Sequence, residues 1–206
     1  LSFELDAGAD ATPGSFDDHS VSISSDGLGT FKFSGNSGSS AVSAIDGTAA
    51  GDVFDTFDTK VGGATASTAE TATAAGDAAM LTSPGGANTM LYTLPAFVDG
   101  LSVSASYTPQ GSNAESSSAF GGTYTGIEGL SVSYGVGTND GSAGTANNAD
   151  VTTMKASYAY GPVTLAYSDH EFDSATATRD QDVTSYSIAY TVTDGISVTY
   201  GTETFD

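Results

Sequence analysis

Three carboxylates, Asp52, Asp55 and Asp58, stand three residues apart in the stretch "AAGDVFDTFDTKVGG" (49–63). At about 100° per residue a helix would gather them on one side and Val53, Phe54, Phe57 and Val61 on the other. Such a helix would lay its apolar side on a wall and turn its acids to water. Fixed carboxylates concentrate cations and repel anions. The spacing lacks the D-x-[DN]-x-[DN]-G order of a calcium loop, so no specific metal site is expected. Only weak association of Ca²⁺ or Mg²⁺ with acidic loops is expected. His19 and His170 each stand alone, and the chain carries no G-x-S-x-G, H-E-x-x-H or P-loop pattern. No catalytic residue and no cofactor are expected.

The other charges narrow the partners. Lys plus Arg total 4, Asp plus Glu total 25, and the net charge is −21. Nucleic acid needs a basic surface and is excluded as a partner. Small cations and neutral solutes suit this chain better. Cys is absent, which removes disulfides and thiolate metal sites. No apolar run approaches the ~18 residues of a membrane helix.

The elements that must position these residues are strands. In 101–108, Leu101, Val103, Ala105 and Tyr107 alternate with Ser102, Ser104, Ser106 and Thr108. Strict alternation places one set on each face of a β-strand. The same alternation predicts strands at 1–7, 19–25, 30–34, 89–94, 119–125, 130–136, 152–160, 163–168, 183–192 and 196–202, about 11 in all. Leu91 breaks the pattern in its strand. Lys32 and Lys155 fall on the polar side of theirs. In a pore they would face the lumen, with the acids across from them.

The connections alternate in length. Those at 26–29, 95–100, 126–129, 161–162 and 193–195 are tight and carry the Gly, Pro or Asp that turns require. Those at 9–18, 35–88, 109–118, 138–150 and 169–182 are long and hold most of the acids. One end of the sheet is then all turns and the other all loops. A Greek-key sandwich has no reason to sort its loops so; an up-and-down transmembrane barrel does. The polar face, rich in Ser, Thr and Gly, suits a watery lumen. Tyr107, Tyr124, Tyr160, Tyr167 and Tyr200 fall near strand ends on the apolar face, as lipid-facing aromatic girdles would. The fold class read from the residues is therefore all-β, a single antiparallel barrel domain over 1–206.

The ordered hairpins resemble a known family. "SVSISSDGLGTFKFSG" (20–35) resembles the tight hairpin before the constriction loop of Gram-negative general porins, and "MLYTLPAFVDGLSVSASYTPQ" (90–110) resembles their next hairpin. "GIEGLSVSYGVG", "MKASYAYGPVTLAYSD" and "SYSIAYTVTDGISVTYG" look like later hairpins of alphaproteobacterial porins. The resemblance covers nearly the whole chain and rests on the series, since no single motif is specific. It implies a homotrimer in the outer membrane of a Gram-negative bacterium, in contact with the bilayer and lipopolysaccharide, and passive diffusion of small hydrophilic solutes. It implies a barrel of about 16 strands, about 11 of them here, with about two before Leu1 and about three after Asp206. It also implies that 35–88 is a constriction loop folded into the lumen. Asp52, Asp55 and Asp58 would then sit at the narrowest point, with Lys32 and Lys155 on the wall. The family's usual Arg cluster is missing: the sole Arg is Arg179, in a long connection.

Two other readings use the same composition. A secreted or surface-layer Ca²⁺-binding adhesive protein would also be acidic, Cys-free and Gly-rich, but the G-G-x-G-x-D repeats of such proteins are absent. Long loops could also serve as a receptor for phage or another cell, alongside a pore.

Overall fold

Alternating side chains and tight glycine turns give a meander. The computed structural model describes residues 1–6, 18–35, 38–43, 45, 49, 88–109, 116–139, 149–174 and 180–205. The strands are β1 (Ser2–Asp6), β2 (Asp18–Ser25), β3 (Gly29–Ser34), β4 (Thr89–Thr93), β5 (Leu101–Thr108) and β6 (Ser117–Tyr124). They continue as β7 (Leu130–Asn139), β8 (Ala149–Tyr160), β9 (Val163–Ser174), β10 (Gln181–Thr193) and β11 (Ile196–Phe205). All lie in one 11-stranded antiparallel sheet whose spatial order is the sequence order. Among the described residues β1 pairs only with β2 and β11 only with β10, so the sheet they form is open.

The five tight connections lie at one end, and each holds a glycine at positive φ: Gly29, Gly100, Gly129, Gly161 and Gly195. At Gly129 the constraint is double. Its φ is +77°, and a Cβ there would collide with the Ala159 carbonyl across the ladder.

At the loop end the strands run further than alternation predicts. The connection expected at 169–182 narrows to 175–180, and that at 138–150 narrows to 140–148. The reason is an inversion of pattern. Val151, Phe172 and Val183 take positions on the polar face, while Asp150, Glu171, Asp173 and Asp182 take exposed positions on the other. The ladder continues through Glu171↔Asp182 and Asp150↔Asp173, although the side chains have changed places. Tyr167 and Tyr200 have several residues of their strands beyond them toward the loop end.

Burial runs opposite to that of a water-soluble sheet. Phe3, Ile23, Tyr107, Phe120, Tyr160 and Ile188 stand exposed on the apolar face, Tyr160 by 76% and Phe120 by 61%. An exposed apolar surface continuous over every strand is far larger than a water-soluble monomer carries. Among the described residues, the buried apolar side chains are few. They are Ala119, Ala149, Val151, Phe172 and Val183 on the polar face, with Ala41, Val42, Ile45 and Ala49 from the connection between β3 and β4.

Candidate functional site

The polar face of β3 to β10 is lined by hydroxyls and by the small residues of β6 and β7. Across it runs the start of the long connection, described at 38–43, 45 and 49. Gly38 lies against Thr89 and Ser34. Two turns follow: the Ser43 N–H donates to the Ser40 carbonyl (3.3 Å), and the Ile45 N–H to the Val42 carbonyl (2.7 Å). The Ala41 N–H donates to Ser106 Oγ on β5 (2.9 Å). Ala41 and Val42 pack with Ala119 of β6 and with Leu91 of β4. Leu91, the exception in its strand, is therefore apolar on the polar face because this segment covers it.

Two glycines receive the segment. Gly121 on β6 and Gly135 on β7 are register partners. A Cβ at Gly121 would land on the Ala41 carbonyl oxygen and 2.9 Å from Ile45 Cδ1. A Cβ at Gly135 would sit 3.2 Å from Val42 Cγ2 and 3.3 Å from Ile45 Cδ1. Val42 is wholly buried in this hole. Farther on, the Ala49 N–H is shared between Ser168 Oγ of β9 (2.8 Å) and Ser185 Oγ of β10 (2.9 Å). Those hydroxyls also bond each other, and both are fully buried.

The chain between these anchors is short. From Ala41 to Ala49 a fully extended chain reaches about 27 Å, and the Val42–Ile45 turn shortens that. Laid on a flat sheet, its anchors on β5 and on β9–β10 would be roughly 25 Å apart. The segment is a strap held to the polar face at both of its ends.

The sequence-derived candidates are placed as follows. Lys32 lies half-buried on the polar face of β3, opposite Ser22 and Leu91. Lys155 lies on the polar face of β8, opposite Ser133 and Ser168, so it flanks the far anchor of the strap. The two lysines are not brought together; four strands separate β3 from β8 in the sheet. Asp52, Asp55, Asp58 and Arg179 lie outside the described residues, as does the expected helix beyond Ala49. Tyr107, Tyr160, Tyr167 and Tyr200 are exposed on the apolar face, and Tyr124 is half-buried there. Tyr167 donates from its hydroxyl to Asp169 Oδ2 (3.2 Å), which Thr184 also reaches at 3.3 Å.

Gly121, Gly135, Ser106, Ser168 and Ser185 were not singled out by sequence reasoning. One signal was present: glycine inside a strand often marks a close approach of another backbone, and "GG" at 121–122 stands mid-strand. The histidines belong to the wall. Thr153 Oγ1 and His170 Nδ1 share a 2.6 Å hydrogen bond, both fully buried on the polar face. The His19 ring lies against Gly35. Among the described residues no three His, Asp or Glu side chains gather as metal ligands. The arrangement offers a hydroxyl-lined face partly covered by its own strap, with an apolar face behind it.

The family model described as "Gram-negative porin" matches residues 1–205. A search of curated proteins returned no match.

Proposed function

Because the chain belongs to the Gram-negative porin family and so to the outer membrane, we propose that it is a cation-preferring diffusion channel for small hydrophilic solutes. One observation carries the reading: the apolar face is exposed on every strand, while the polar face is crossed by a segment of its own chain. Lipid would meet the first, with the exposed tyrosines at its borders, and water the second. Ala49 is fixed at the Ser168–Ser185 pair, and the acids Asp52, Asp55 and Asp58 follow within a few residues. Residues 35–88 are read as the constriction loop, with those carboxylates at the narrow point and Lys32 and Lys155 on the wall. With so few basic residues against a net charge of −21, the acidic field dominates. The working assembly is a homotrimer in contact with lipopolysaccharide, within a closed barrel of about 16 strands. No covalent step is involved. The calcium-binding adhesive reading is not favoured, since it gives no use to an apolar exterior.

Replacing Asp52, Asp55 and Asp58 together with Asn tests the constriction. Ion selectivity measured across a planar bilayer should shift toward neutrality, with the conducting step retained. Unchanged selectivity would place these acids away from the ion path.

A further inference from the structure

We propose that the Gly121–Gly135 hole and the Ser168–Ser185 pair are two clasps that position the strap and thereby set the open cross-section of the channel. This rests on the channel reading above and names the residues that adjust it.

The first clasp works by shape. Strands β6 and β7 have no side chain at two register-paired positions of the polar face. Val42, Ile45 and the Ala41 backbone fill the space so closely that a Cβ at Gly121 has nowhere to go. Side chains at these positions would hold the strap farther from the wall. The second clasp works by hydrogen bonding, as one backbone N–H meets two buried hydroxyls from adjacent strands. A buried N–H without a partner is costly, so the Ser168–Ser185 pair fixes Ala49 at one height on the wall. Ser106 adds a third bond at the near side. Ala41 and Ala49 are only eight residues apart in the chain, so displacing the segment at one clasp pulls on the other.

The neighbouring glycine supplies the control. Gly122 points to the opposite face, where its nearest neighbours to an added Cβ are the Ser102 carbonyl oxygen at 3.4 Å and Val103 Cγ2 at 3.7 Å. It floors an apolar hollow of 340 Å³ rimmed by Phe120, Tyr124 and Tyr134. Gly121→Val and Gly122→Val add the same atoms one residue apart, to opposite faces.

The experiment compares wild type, G121V and G122V as single channels in planar bilayers. A wild-type protein that gives no steps fails the channel reading itself, before the clasps are tested. With steps present, G121V should conduct at least ~1.5-fold less than wild type, because the strap is pushed off the wall into the lumen, while G122V keeps the wild-type step. Equal steps from all three, or equal losses from both variants, would overturn the proposal. A second test covers a G121V that does not fold. Ala49→Cys with Ser185→Cys, in a chain with no native cysteine, should form a disulfide on oxidation, and oxidation should raise the step above that of the reduced variant, which lacks the Ser185 hydroxyl. Failure to crosslink in the folded protein, or a step that oxidation leaves unchanged, would equally overturn it.

Discussion

Along β8, β9 and β10 the half nearer the tight turns differs from the half nearer the loops. In the turn half, Tyr158, Leu165, Ile188 and Tyr190 stand exposed on the apolar face, over Ala and Ser on the other side. In the loop half the exposed positions are Asp150, Glu171, Asp173 and Asp182, and the apolar residues Val151, Phe172 and Val183 are buried on the polar face. The backbone ladder is continuous through both. The lesson concerns environment rather than secondary structure. A strand exposes apolar side chains where its surroundings are apolar, and exposes acids where they are aqueous. The inversion within single strands marks where the apolar belt stops.

That contrast can be broken from either half. The largest effect is expected from Phe172→Ala, which empties a fully buried position in the loop half. It should cost about 3–5 kcal/mol in reversible urea unfolding in lipid vesicles. Next comes Leu165→Arg, on the exposed apolar face of the turn half. It should cost about 2–4 kcal/mol in the same assay, through a charge in the apolar belt. Glu171→Arg, on the same face of the same strand but beyond the inversion, should be tolerated within about 0.5 kcal/mol. Equal costs for these two substitutions would erase the distinction between halves. An effect smaller than that of Leu165→Arg belongs to the turn end itself. Gly129→Ala must adopt φ +77° and crowd the Ala159 carbonyl, and should cost at least about 1 kcal/mol by the same unfolding measurement.

Much of this architecture was legible because it is local. Alternation within 101–108 or 183–192 is written by neighbouring residues, and a tight turn announces itself by glycines such as Gly100 and Gly195. The short and long connections then dictate a meander. The strand ends were less legible for a physical reason. Alternation is read from one apolar face, and at Phe172, Val151 and Val183 the apolar side chains cross to the other. The strap was hidden for a different reason. Ala41 meets Ser106, and Ala49 meets Ser168 and Ser185, across separations that no periodicity encodes. Leu91 and the mid-strand Gly121 were its only traces, the one too apolar for its face and the other too small. Tyr167 and Tyr200 stand exposed on the apolar face, as alternation predicts.

The charge of the ions that pass decides whether the acids line their path. The decisive measurement is the reversal potential of the wild-type channel in a planar bilayer under a KCl gradient. Steady conductance is expected, with a reversal potential displaced toward the K⁺ equilibrium value. A displacement toward the Cl⁻ value would contradict the assignment of the acids to the ion path, and the absence of any conductance from correctly folded protein would contradict the channel itself.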